Sequence, residues 1–233
     1  RGVSEDVVQV DAIIQDDSRS GDSQQGNFSL SGPLKEDLLG LQVYGGFYNR
    51  QEDLFVDGYE QKDLRNLTAK LSLTPTDNHD FSVEATRTKD SRQGLMGRSA
   101  ASTGCRGGCT DSFSDHNRES FALTHTGRWA IGTSDTYVQR EKAENESREM
   151  TITNTNAKTA LVMPMGDHMV TVGADFTEEK LDDKTSNRIS DRTNIESSKY
   201  ALFAEDEWKL TDTFTVTAGA RKECEENCGP ERG

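Results

Sequence analysis

The residues best equipped for chemistry are arginines in an otherwise acidic chain. A long polar stretch over 90–117 holds Arg92, Arg98 and Arg106, and Arg118 follows it, in a sequence with a formal net charge of -14. A guanidinium is a rigid planar fork that pairs with anions and stacks on flat rings. The stretch is the best candidate for binding, because long loops on a rigid scaffold are where binding concentrates. The plainer reading of each arginine is solvation of an exposed loop. Tyr48 and Arg50 offer the same side-chain chemistry at the end of an alternating segment, where a hydrogen bond within a sheet wall is the plainer reading.

Other reactive types give less. Cys105 and Cys109 form one close pair and Cys224 and Cys228 another. In an oxidising compartment the first pair can close a small disulfide loop. A metal site at Cys105, Cys109 and His116 is the rarer alternative, because C-x3-C lacks a second ligand pair beside it. His79, His116, His125 and His168 have no i, i+4 spacing, and no G-x-S-x-G or phosphate-cradling loop occurs. The expectation is a binding protein without catalytic residues, metal or cofactor. The negative charge also makes nucleic acid an unsuitable partner, since phosphate contacts need a basic footprint.

Only 32% of the chain is hydrophobic, and its mean hydropathy is -0.80. No apolar run approaches the roughly 20 residues of a spanning helix. Period-two alternation is nevertheless pervasive. Tyr200, Leu202, Ala204, Asp206, Trp208 and Leu210 share one face of a strand, while Ala201, Phe203, Glu205, Glu207 and Lys209 share the other. Phe121, Leu123, His125, Gly127 and Trp129 repeat the pattern. In both segments two aromatics stand eight residues apart, roughly 27 Å along the strand and about 20 Å in height at a tilt of about 40°, near the separation of two aromatic girdles.

The connections alternate too. Short joints at 32–37, 75–78, 131–134, 164–167 and 210–213 are interleaved with long polar ones around 16–25, 51–62, 90–117, 143–149 and 180–197. A membrane barrel has tight turns on one side and free loops on the other. Strands are predicted near 6–15, 26–33, 38–50, 63–74, 80–90, 118–130, 134–143, 150–163, 168–179, 198–210 and 213–222. The fold class is all-β: an antiparallel, up-and-down transmembrane β-barrel. About eleven strands with open edges cannot seal in lipid, so a partial barrel is expected.

Particular residues carry a family resemblance. Asn27-Phe28-Ser29-Leu30-Ser31-Gly32-Pro33-Leu34 with Leu41-Gln42-Val43-Tyr44-Gly45 resembles the first hairpin of TonB-dependent outer-membrane siderophore receptors. Asn78-His79-Asp80-Phe81, Ser91-Arg92-Gln93-Gly94, Thr124-His125-Thr126-Gly127-Arg128-Trp129, the segment 200–208 and Thr217-Ala218-Gly219-Ala220-Arg221 continue it in order. Within that family the chain resembles the receptors for ferric enterobactin and for colicin I.

The resemblance implies a 22-stranded barrel around an N-terminal plug, of which residues 1–221 supply the N-terminal half, with the plug, the TonB-contacting box and the closing strands lacking counterparts. Residues 222–233 break the alternation and are expected to be an aberrant or truncated tail. It further implies energised uptake of a ferric siderophore of catecholate type in the bacterial outer membrane. Arg92 is the first choice for ligand contact and Arg118 the next. Expected partners are the siderophore, the TonB complex through its box, outer-membrane lipid and lipopolysaccharide, and bacteriocins using the same loops. Receptors for haem or cobalamin, a passive porin and a secreted β-rich adhesin are the alternatives.

Overall fold

A computed structural model describes residues 7–16, 20–106, 108–184 and 194–225. Eleven strands form one antiparallel sheet in strict sequence order: β1 Val7–Gln15, β2 Ser23–Lys35, β3 Leu39–Arg50, β4 Gln61–Thr76, β5 His79–Gly94, β6 Ser112–Trp129, β7 Gly132–Asn145, β8 Met150–Met165, β9 His168–Asp183, β10 Asn194–Thr211 and β11 Phe214–Glu225. The sheet is not closed among the described residues, since β1 does not pair with β11. Each predicted strand has its counterpart. No helix among the described residues is long and apolar enough to cross a membrane, which says nothing of strands.

Register keeps the apolar residues on one face. Leu41 lies opposite Leu71, Leu71 opposite Val83, and Val83 opposite Leu123, which lies opposite Val138. A slip of one residue would turn this set to the other face, so the pattern itself fixes the pairing. Leu202, Phe121, Leu67 and Leu30 on this face remain substantially exposed, up to 68% for Leu202. Large apolar side chains left bare in a continuous band are what a barrel wall presents to lipid. The opposite face, turned to the lumen in such a wall, carries Gln42, Lys70, Glu84 and the Thr68–Thr86 hydroxyl pair at 3.0 Å.

The band ends in ring clusters at the tight-turn side. His125 stacks on Phe81 at 4.4 Å, Trp129 meets His79 edge-on at 5.0 Å, and Trp208 stacks on His168 at 5.2 Å. Tight turns need special backbone there. Gly166 has φ 67 between β8 and β9, and a Cβ on Gly132 (φ 155) would lie 2.0 Å from the Val162 carbonyl oxygen. The turn predicted at 131–134 falls one step earlier, on Ala130 and Ile131, with Gly132 opening β7.

The long joint predicted over 90–117 is shorter than expected. β5 runs on to Gly94 and β6 begins at Ser112, so only 95–111 connects them. Above the apolar band both faces are polar, so the alternation in hydropathy vanishes while the hydrogen-bonded ladder continues. Arg92 therefore lies on a strand and not in a loop, and Arg118, predicted to open a strand, lies within one. β11 continues through Lys222, opposite Leu202, and Cys224, opposite Tyr200. Residues 226–233, with Cys228, lie outside the described residues.

Candidate ligand-binding site

The loop-side end of the lumen face gathers cations that lie far apart in sequence. Arg50 on β3 is paired across with Lys62 on β4, and Lys62 with Arg92 on β5. Opposed residues in antiparallel strands stand about 4.5–5.5 Å apart, so three cations form one row. Tyr48 lies two residues below Arg50 on the same face. Asp90, two residues below Arg92, accepts from its guanidinium at 2.9 Å and lies 3.8 Å from the Lys62 ammonium. Asp53 accepts from Arg50 at 2.8 Å. Asp53 and Asp90 thus fix the guanidinium groups of the row, and the charge of Glu60 also acts on Arg92.

Arg118 shares the lumen face, lower on β6, and pairs with Glu141 at 2.7 Å. His116, two residues above it, engages Ser114 at 2.7 Å. Cys105 and Cys109 are joined as a disulfide at the tip of the 95–111 loop, and Arg106 stands exposed beside them. Arg98 lies in that loop, 3.8 Å from Glu52. The row therefore unites Tyr48, Arg50 and Arg92, Arg118 lies nearby on the wall, and Arg98 and Arg106 belong to the loop above.

Two adjacent buried carboxylates fasten the loops over this row. Glu52 accepts from the Ser99 hydroxyl at 2.7 Å and from the Leu95 and Ser99 amides at 2.5 and 3.3 Å. Asp53, 1% exposed, accepts from the Gly21 amide at 2.7 Å and the Tyr59 amide at 2.8 Å. The 16–22, 51–60 and 95–111 connections are thereby held to one another. Burial pushes both carboxyls up. For Glu52 this is outweighed by the Ser99 hydroxyl, the Leu95 and Ser99 amides and the Arg98 charge, and for Asp53 by the Gly21 and Tyr59 amides and Arg50. Both titrate below the usual carboxylate range.

The fastened 51–60 loop shows apolar surface outward. The Tyr59 ring lies 4.7 Å from the Arg50 guanidinium carbon, and Leu54, Phe55 and Tyr59 are all exposed. Sequence reading passed over Lys62, Glu52, Asp53 and these apolar residues. The run Leu54-Phe55-Val56 inside a polar connection was the available signal; the partners of Lys62 and Asp53 depend on register and on other loops.

An open antiparallel sheet with one bare apolar face, girdled by rings and capped by fastened loops, defines a wall of an outer-membrane barrel receptor. The family profile described as TonB dependent receptor-like, beta-barrel matches residues 10–223, and the chain belongs to that family. It is a family of transport receptors of the outer membrane. The chain is 44% identical over 223 residues to the iron-regulated outer membrane virulence protein of Vibrio cholerae, covering 95% of this chain and 34% of the relative. It is 26% identical to the ferric enterobactin receptor PirA of Pseudomonas aeruginosa, over 74% of this chain and 28% of that one. The crystal structure of the siderophore receptor PirA from Acinetobacter baumannii superimposes with a TM-score of 0.78 at 20% identity, over 97% of this chain and 40% of that one. The chain spans roughly a third of the length of the curated relatives it matches.

Proposed function

We propose that this chain forms part of the ligand-receiving wall of a receptor that takes up ferric siderophores of catecholate type, with TonB supplying the energy. The observation that carries this reading is the row Arg50, Lys62 and Arg92 at the mouth of the lumen face, with Tyr48 below and Tyr59 above. A ferric tris-catecholate is a flat-ringed anion, so it gains Coulomb attraction from the row and stacking on ring and guanidinium faces. The names of the Vibrio and Pseudomonas relatives, iron-regulated and ferric enterobactin receptor, support the same ligand class. The chemistry is capture and passage, not bond making. Arg98 and Arg106 in the loop above act in first encounter, and Arg118 receives the ligand deeper in the lumen.

The test is titration of the complete gene product, purified from outer membranes, with a ferric catecholate, a ferric hydroxamate, haem and cobalamin. Tryptophan fluorescence should respond to the catecholate at nanomolar to micromolar concentration and least to uncharged chelates. A flat response to every ferric chelate overturns the siderophore assignment. Preference for haem or cobalamin moves the receptor to that ligand.

A further inference from the structure

At the foot of the wall, around the turn between β8 and β9, soft metal ligands converge on one face. Met163 and Met165 lie two residues apart on β8 and so share a side of the sheet. Register sets Met165 opposite His168 on β9, and His168 opposite Trp208 on β10. Met163 lies opposite Val170, one diagonal step from His168. Opposed side chains on one face stand about 4.5–5.5 Å apart at Cβ, and diagonal neighbours about 7–8 Å. A methionine arm is long and flexible, so both thioethers can reach a point beside the His168 ring. Met165 is 60% exposed, which gives ions access from the turn.

The histidine is prepared for a ligand. Its Nδ1 stands 2.8 Å from a carboxylate oxygen of Asp206. A carboxylate accepts, so the neutral ring keeps its proton on Nδ1 and presents the Nε2 lone pair. A carboxylate behind an imidazole is the usual outer support of a metal-bound histidine, because it fixes tautomer and ring orientation. The other Asp206 oxygen is buried without a hydrogen-bond partner among the described residues, which leaves negative charge to answer a cation on the ring. Trp208 stacks on the same imidazole, with centroids 5.2 Å apart and planes at 15°. His79 and His125 differ, because their nitrogens, 3.1 Å apart, engage each other.

We propose that Met163, Met165 and His168 form a site for a soft monovalent cation, Cu+ or Ag+, on the tight-turn side of the wall. Two thioethers and one neutral imidazole carry no charge, and thioether sulfur suits Cu+ better than harder ions. Zn2+ is held by thiolate, imidazole and carboxylate, and of these only the imidazole is offered here. Asp206 is a positioning residue that acts through His168. The site lies at the opposite end of the wall from the row of Arg50, Lys62 and Arg92 and does not depend on it. Histidine spacing does not reveal the set, because its members meet across a turn and two of them are methionines.

The test is calorimetric titration of the complete gene product in detergent with Ag+, which needs no reductant, and with Zn2+ in parallel. Buffer is free of chloride, and free thiols are alkylated beforehand. The unsubstituted protein should bind Ag+ more tightly than Zn2+, and X-ray absorption should show sulfur around the silver. Met163→Leu/Met165→Leu conserves volume and should weaken Ag+ binding at least as much as loss of an outer-shell partner, about tenfold or more. Asp206→Asn should weaken it about tenfold, and His79→Gln, in the other ring cluster, should bind normally. If the double variant fails the heat-shift check for a folded barrel, Met165→Leu alone should still weaken binding. Failure of the unsubstituted protein to bind Ag+ overturns the proposal, as does Zn2+ bound as tightly as Ag+, or Ag+ bound equally by the folded methionine variants. An equal loss in His79→Gln overturns it in favour of diffuse binding to histidines. Unchanged binding by Asp206→Asn overturns the positioning role of that residue.

Discussion

The hydroxyl of Ser99 donates to the carboxylate of Glu52 at 2.7 Å, closing 47 residues of chain. This bond ties the disulfide-bearing 95–111 connection to the 51–60 connection directly over the row of Arg50, Lys62 and Arg92. Glu52→Ala leaves the Ser99 hydroxyl and the Leu95 and Ser99 amides without their acceptor, a loss of about 1–3 kcal/mol if they stay buried. Hydrogen exchange at those amides should rise about tenfold or more, with exchange in the β4 and β5 ladder unchanged.

The same fastening is sensitive to acid. Glu52 and Asp53 both titrate below the usual carboxylate range in the folded protein. Their stabilisation is therefore complete above the ordinary carboxylate value and disappears as pH falls through the lowered folded values. After correction for intrinsic rates, exchange at Gly21, Tyr59, Leu95 and Ser99 should be constant from pH 7 to about 5 and should climb below about 4. A rise centred near neutrality would assign the fastening to other groups.

Tyr59 offers an exposed ring beside the Arg50 guanidinium. Tyr59→Ala removes one stacking surface and a cation–π contact worth about 0.5–1 kcal/mol at an exposed site. Affinity for a ferric catecholate should fall about threefold, measured by fluorescence titration, while Tyr59→Phe should stay close to the parent.

Gly132 leaves no room for a side chain, because a Cβ would meet the Val162 carbonyl oxygen at 2.0 Å. Gly132→Val should reduce the yield of heat-resistant folded barrel in the outer membrane. Gly166→Ala meets open space and only the cost of a positive φ, about 1 kcal/mol. It should fold in normal yield and unfold at slightly lower urea.

Much of the wall was legible in the sequence, and the limits of legibility have a physical cause. Within the band, Leu, Val, Ala and Phe alternate with polar residues because one neighbour is lipid, and this placed all eleven strands. Above the band water lies on both sides, and Ser91, Arg92 and Gln93 give no alternation. For that reason Arg92 read as a loop residue although it belongs to a strand. Tyr48, Arg50 and Arg92 were found by residue type, but their union in one row with Lys62 rests on register across three strands. Glu52 and Asp53 look like ordinary loop acids; their burial is created by amides of Gly21, Tyr59, Leu95 and Ser99 arriving from separate connections.

The most direct measurement is equilibrium binding of a ferric tris-catecholate to the complete gene product and to its Arg92→Glu variant. Charge reversal in a row where Arg50 and Lys62 are neighbours should weaken binding at least about tenfold. The loss should shrink as salt is raised, and the barrel should remain folded. Binding unchanged in affinity and salt dependence would contradict the assignment of this row as the place where the ligand is received.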